Sequence, residues 1–377
     1  MTAALKDILI IGGGFSGMAA AIQLRKSDFN VDIIEIDAEW RSYGAGITMS
    51  GASLRVLNTL GVLDEFLELG AGTDGLDIYL ADGAHLAAVP NARIAGSDIP
   101  ATGGIMRPVL AKILAEATLK SGTNVRLGCT YTTIANAVDG ATVICTDGTS
   151  KRYDLVIGAD GMNSTVRPFL FPDAPSPAYT GQAVWRAVVP RPSDVDHARM
   201  YMGNKVKAGV NPVSKSEMYL FVTEDKPVNE RVEPSQFVER LSTLLESFTS
   251  PLMQDIRSQL PDSPIVYRPL EGLLMPQPWY RDRVVLIGDT VHATTPHLAS
   301  GACIGMEDAV VLADELTKAK VGGLSEALDA FQARRWERCR MIVENSLRLG
   351  EIEVTNGDRA EHAKIMAESH MALAQPI

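Results

Sequence analysis

Residues 8–36 read ILIIGGGFSGMAAAIQLRKSDFNVDIIEI, and this stretch decides the fold. An apolar run at 8–11 leads into Gly12-Gly13-Gly14-Phe15-Ser16-Gly17; a helical pattern follows, then a second apolar run at 31–36 that carries Glu35. Each position has a job in binding a dinucleotide. Gly12 permits the tight turn, Gly14 lets a pyrophosphate approach the helix N-terminus, and Gly17 allows close packing of helix on strand. Phe15 and Ser16 belong to the same candidate set. Glu35, rather than Asp37, stands closer to the end of the second strand, where a carboxylate accepts the ribose hydroxyls. Glycine spacing alone is a weak signal. A strand before it, a helix after it and an acid at the end of the next strand make it specific.

The bulk properties exclude several other classes. The chain has 377 residues, enough for two domains or one elaborated one. Hydrophobic residues are 46% and charged residues 21%, an ordinary globular balance. No apolar run approaches the ~18 residues of a membrane span. The start, MTAALKDILI, enters a strand almost at once, so no signal peptide is expected and the cytoplasm is the expected location. A net charge of -11 argues against a nucleic-acid partner, which needs a basic footprint. Cys129, Cys145, Cys303 and Cys339 show no CxxC pair, and the histidines form no HExxH cluster, so no metal site is expected.

Two later segments say which dinucleotide. One is Asp154-Leu-Val-Ile-Gly-Ala-Asp160-Gly161-Met-Asn-Ser164-Thr-Val-Arg167; the other is RVVLIGDTVHATTP, which carries Asp289, His292 and Pro296. With the first motif, and in this order along nearly the whole chain, they resemble the class A flavin-dependent aromatic hydroxylases of the para-hydroxybenzoate hydroxylase fold, among them the 6-hydroxynicotinate and urate hydroxylases. The resemblance implies FAD as cofactor, NADH or NADPH as a transient electron donor, and O2 as co-substrate. It implies Asp289 on the ribityl hydroxyls, and Gly301, Ala302 and Cys303 opening a helix whose free amides face the flavin N1–C2=O edge. The family usually has Gly-Gln-Gly-x-Asn where this chain has Ala299-Ser300-Gly301-Ala302-Cys303, a departure that removes two side-chain amides. Gly44-Ala45-Gly46-Ile47 matches a family segment beside the isoalloxazine ring, and Arg107 a position that reaches the FAD phosphates or ribityl. Asp160 is the strongest residue of its segment, Arg167 reads as structural, and His292 as a support near the flavin.

The fold class expected is α/β: a Rossmann-type FAD-binding domain, a smaller mixed or antiparallel β-sheet substrate domain, and C-terminal helices. The FAD-binding part reads as discontinuous, 1–73, 101–172 and 271–323, with strand and helix patterns alternating through its first two pieces. Residues 74–100 and 173–270 read as the substrate-binding part, because QAVWRAVVP, ARMYMG and EMYLFVTE alternate polar and apolar residues. Residues 324–377 form a C-terminal helical region, with an amphipathic helix, or two, over 324–350. No second GxGxxG appears, which fits an electron donor that binds and leaves.

The activity implied by the resemblance is hydroxylation of a small phenolic or hydroxy-heteroaromatic substrate through a flavin C4a-hydroperoxide. Tyr219, His297 and Pro296 are the catalytic candidates. Tyr219 resembles the tyrosine that urate- and hydroxynicotinate-type enzymes place against substrate; the alternative is a strand aromatic filling the core. At His297 urate-type relatives tend to have an acid and hydroxynicotinate-type ones a histidine, which tilts the reading toward a hydroxypyridine. Arg186, Tyr201 and Lys207 join Tyr219 and His297 as candidate substrate contacts, the two cations for a carboxylate. Other readings are a urate-type purine hydroxylase, an epoxidase on the same scaffold, or a flavin-binding protein without turnover. A monomer or homodimer is expected. NADH against NADPH, regiochemistry, and loss of a ring substituent are not encoded in these motifs.

Overall fold

Four near-continuous β-branched and leucine runs need burial on both faces, and the computed structural model, which describes residues 5–203 and 206–377, supplies it with a parallel sheet. Its strands lie in the order Asn124–Leu127, Asn30–Glu35, Asp7–Ile11, Leu155–Gly158 and Val284–Leu286, all parallel, with Tyr280–Arg281 antiparallel at one edge. The fingerprint strand is central, and Ile8, Leu9 and Ile10 are completely buried. Helices Phe15–Lys26 and Gly301–Lys318 pack on each other over this sheet. The stretch 131–153 departs from strand–helix alternation: it is an antiparallel meander of Tyr131–Ala137, Gly140–Cys145 and Ser150–Tyr153. Its strands are short and half-exposed, a weak pattern in sequence.

A second, seven-stranded sheet runs Ile265–Gly272, Ala178–Pro190, Glu217–Asp225, Lys207–Pro212, Ala198–Met202, Gly75–Leu80, His85–Pro90. It is antiparallel except where Ala198–Met202 lies parallel to Gly75–Leu80. Strand alternation sends successive side chains to opposite faces. One face, with Trp185, Tyr201, Met218, Leu220 and Val222, packs with Leu241, Leu245, Met253 and Ile256 of helices Phe237–Leu245 and Pro251–Gln259 into a separate core. The other face carries Arg186, Lys207, Tyr219 and Phe221, because Arg186 pairs with Phe221 and Lys207 with Thr223. A small sheet of Gly46–Ser50, Thr102–Met106 and Ala71–Thr73 joins the two parts. The C-terminal region is one 32-residue helix, Leu324–Thr355, followed by Arg359–Ala374. Among the described residues no helix is long and apolar enough to cross a membrane.

Candidate active site

The glycine turn is built as its spacing requires. Gly12 has φ +107°, a conformation L side chains rarely adopt, and a Cβ there would stand 2.3 Å from the Ala159 carbonyl oxygen. At Gly17 a Cβ would lie 2.0 Å from the Gly12 carbonyl oxygen, so glycine lets the helix sit on the turn. Around Gly14 nothing lies within 4 Å of such a Cβ. The helix N-terminus therefore opens onto free space at the residue that a pyrophosphate would approach. Glu35 holds this turn in place: its carboxylate accepts from the Gly13 amide at 2.7 Å and the Asp37 amide at 2.8 Å, while Trp40 Nε1 donates to the Gly13 carbonyl at 2.8 Å.

The other two motifs converge on the same end of the sheet. Gly288, at φ +65°, and Gly305 close on the Ser16 hydroxyl, which a Cβ at either would approach to 2.4 Å. Ser16 thus locks the fingerprint helix to the Gly-Asp loop with its side chain, leaving its backbone amide for an anion. Arg167 ties the Asp-Gly segment to that loop through the carbonyl of Thr290 at 2.9 Å, in line with its structural reading. Asp160 caps the helix Val166–Leu170, accepting from the Ser164 hydroxyl at 2.6 Å and the amides of Thr165 and Val166. Its carboxylate is first a cap. His292 is fully buried behind the loop with Nε2 2.6 Å from Asp308 Oδ2, and Asp308 also takes the Gly288 amide and Arg335 Nε. Burial opposes an imidazolium, yet Asp308 and the Cys339 thiol outweigh it, so His292 lies well above its ordinary value. Burial raises Asp308 and the two cations lower it, to about 2 on balance.

Asp289 is open to solvent yet walled by protein: burial raises its carboxyl, and His292 and Arg107 pull it back. That combination marks the floor of a cleft. Arg107 lies across from it, half-buried, with its guanidinium 4.9 Å over the Phe15 ring and its backbone amide on the Ala45 carbonyl. Burial lowers Arg107, and Asp289 raises it. Arg186 extends the same wall; burial lowers it, Tyr219 raises it, and Arg107 and Arg268 lower it further. Among the described residues no hydrogen bond or ion pair to a protein group holds the guanidinium of Arg107, Arg186 or Arg268. A cleft with one carboxylate, a row of uncommitted guanidiniums and an open helix N-terminus has the donor set for a dinucleotide and an electron-rich ring. FAD fits that donor set, and Gly12, Gly14, Glu35, Arg107 and Asp289 are the residues here that could hold it.

At the helix that follows, Ala299 takes φ 48° and Gly301 and Ala302 are partly open at its first turn. Cys303 points the other way. It is 1% exposed, burial pushes its thiol up, and Ser53 is its neighbour. Its side chain is thus unavailable to a ligand, and only its backbone could contribute.

Tyr219 sits where the sheets meet. Its phenol oxygen is 2.6 Å from Thr48 Oγ1, and a Cβ on Gly46 would come within 2.2 Å of its ring. Gly46 therefore contributes by letting the tyrosine close on the small sheet. Burial raises the phenol above its ordinary value, against Arg186 and Thr48, so it stays protonated at neutral pH. His297 follows Pro296 in a single 3-10 turn, Nδ1 2.9 Å from Thr295 Oγ1. Lys207 is on the site face but committed: its ammonium is 2.5 Å from Glu353 Oε1. Tyr201 is a correction. It is 2% exposed on the opposite face, stacked 5.1 Å from Tyr79 in the apolar core, because it pairs with Ala208 rather than with a site-facing residue. The alternating pattern alone cannot tell which parity faces the site.

Thr48, Glu353 and Trp40 were not marked by any motif, since each acts through a partner distant in sequence, and neither was Arg268. An open groove of about 480 Å³ beside Tyr179, Leu347 and Arg348 contains none of these groups.

A family described as "FAD binding domain" matches residues 6–346. The chain belongs to the class A flavin-dependent aromatic hydroxylases. These hydroxylases are FAD-dependent oxygenases, and so is this chain. It is 32% identical over 351 residues to 2-heptyl-3-hydroxy-4(1H)-quinolone synthase of Pseudomonas aeruginosa (strain UCBPP-PA14), covering 92% of this chain and 89% of that one. To an FAD-dependent urate hydroxylase of Klebsiella pneumoniae it is 28% identical over 348 residues, covering 89% and 87%. The structure of Klebsiella pneumoniae HpxO complexed with FAD and uric acid shares its fold at a TM-score of 0.83 and 23% identity, covering 99% and 98%.

Proposed function

We propose that the protein hydroxylates a small hydroxy-heteroaromatic ring of the hydroxypyridine class, with NADH or NADPH as an electron donor that binds transiently. The observation that carries this reading is the buried Tyr219 phenol beside the unpartnered Arg186, across the cleft from Asp289. Residues 1–73, 101–172 and 271–323 hold FAD; 74–100 and 173–270 supply the substrate wall, and 324–377 backs it. FAD, when bound, supplies the oxygen-activating chemistry. The chain's own groups do the rest. Tyr219 hydrogen-bonds the ring hydroxyl, whose proton is relayed through Tyr219 and the partly exposed Thr48 to solvent; Arg186 stabilises the resulting oxyanion, and the sheet faces keep water from the reacting ring. His297, at a position beside Pro296, acts on the pocket through its charge, its ring nitrogens being turned to Thr295 and Glu353. Urate-type relatives tend to have an acid in that place and hydroxynicotinate-type ones a histidine, so His297 favours the pyridine reading over the urate one. The working state is a cytoplasmic monomer or homodimer.

The test is a panel of hydroxypyridines and phenols scored for stimulated NAD(P)H oxidation and coupled hydroxylated product. A hydroxypyridine that gives both is expected. Turnover confined to urate or to an alkene moves the assignment to the alternatives, and no stimulation by any ring leaves a flavin-binding protein.

A further inference from the structure

Two of the residues assigned to the substrate pocket meet on a third side chain from the end of the chain. Glu353 lies in the last turn of helix Leu324–Thr355. Its Oε1 accepts from Lys207 Nζ at 2.5 Å and stands 3.2 Å from His362 Nε2; its Oε2 is 3.6 Å from His297 Nε2. That last distance is longer than a hydrogen bond and short enough for charge pairing. One turn earlier Gly350 makes room, since a Cβ there would come within 3.0 Å of His297 Cε1 and 2.9 Å of Gln182 Oε1. The helix therefore runs flush against the imidazole, and its carboxylate is delivered to the back of the pocket.

We propose that Glu353 is a positioning residue for the substrate pocket: its carboxylate clasps Lys207 and His297 from behind and sets the charge state of the imidazole. The proposal rests on the reading that His297 serves the substrate. Among the described residues, the charged and titratable groups that face His297 are Glu353 from the long helix, Lys207 from the sheet and His362 from the last helix. Its side chain is only 2% exposed, and Thr295 takes its Nδ1. Burial lowers the proton affinity of His297; Lys207 and His362 lower it further, and Glu353 alone works against them. Glu353 itself is held far below the ordinary carboxylate range, because His297, His362 and Lys207 overcome its burial. It is thus a fixed negative charge, and it also holds the Lys207 ammonium.

The test is a histidine-ring NMR titration of the full-length holoenzyme, with His297 assigned by the signal lost in His297→Asn. In Glu353→Gln the shape remains and the charge goes, so the His297 midpoint is expected to fall by about one pH unit, a tenfold loss of proton affinity. In Lys207→Met it is expected to rise. The pH profile of hydroxylation should move with the midpoint, and Glu353→Asp should restore part of it. A midpoint within about 0.3 unit of the parent in Glu353→Gln, with only a lower Tm, makes the residue a plain structural tie and overturns the proposal. If Glu353→Gln does not fold, an unmoved or lowered midpoint in Lys207→Met overturns it instead. Failure of the functional reading looks different: His297→Asn hydroxylates like the parent while the midpoint shifts still occur.

Discussion

Gly14 and Gly17 are three residues apart in one motif, and the structure assigns their missing side chains to different partners. A methyl group on Gly17 would lie 2.0 Å from the Gly12 carbonyl oxygen, an atom of backbone that cannot turn aside. The helix must lift off the first strand, a strain at or above the top of the about 1–3 kcal/mol that overpacking costs. A methyl group on Gly14 meets nothing within 4 Å, and Gly14 has φ -73° and ψ -176°, which alanine adopts freely. Replacing glycine at this N-cap costs a few tenths of a kcal/mol up to about 1, offset by a similar gain from a stiffer unfolded chain. Gly14→Ala should therefore leave the apoprotein as stable as the parent. Its methyl group stands where the pyrophosphate approaches, and loss of one charge-assisted amide bond costs about 1.5–3 kcal/mol, or roughly tenfold to a hundredfold in FAD affinity. Thermal unfolding of the apoproteins and titration of flavin fluorescence quenching separate the two effects. A Gly14→Ala protein that binds FAD like the parent, or a Gly17→Ala protein that melts like it, refutes the division of labour.

Tyr219→Phe should retain FAD, lose about 1 kcal/mol with the bond to Thr48, and slow ring hydroxylation by about a hundredfold; stopped-flow and product analysis check it, and unchanged coupled turnover removes the phenol from the reaction. Tyr201→Phe should leave substrate KM unchanged, since that ring faces the other core, and a large KM effect would contradict the strand register. Acid unfolding should report Asp308: its carboxyl lies at about 2 when folded against about 4 when unfolded, so its stabilisation holds above pH 4 and is lost as pH falls from about 4 toward 2. In Arg335→Met the folded carboxyl rises toward its unfolded value, so the loss between pH 4 and 2 should shrink and be complete at higher pH, on top of the several kcal/mol that removing one partner from a buried ion cluster costs; denaturant midpoints measured across pH 2–5 give the answer.

Much of the FAD side was legible because its signals are local. Gly12, Gly14 and Gly17 act within six residues, and Gly288 and Gly305, on either side of Pro296, meet the fingerprint helix at Ser16. The substrate side depends on sheet register and on contacts between distant segments. Tyr201 and Tyr219 both look like strand aromatics; only the pairing of Ala198–Met202 with Lys207–Pro212 sends one to the core and the other to the pocket. Glu353 meets Lys207 across 146 residues, and Tyr219 meets Thr48 across 171, so no spacing rule exposes either. Asp160 carries a local signal of another kind, a carboxylate ahead of Ser164-Thr165-Val166, which is a helix cap.

The proposed activity stands or falls on whether the three motifs grip one flavin and place it beside Tyr219 and Arg186. Anaerobic mixing of the purified protein with NADH or NADPH, in the presence and absence of a hydroxypyridine, tests it most directly by the visible flavin spectrum. A yellow protein is expected, whose flavin bleaches with the donor and is reoxidised by O2 with hydroxylated product. A colourless protein that takes up no FAD on reconstitution would contradict it.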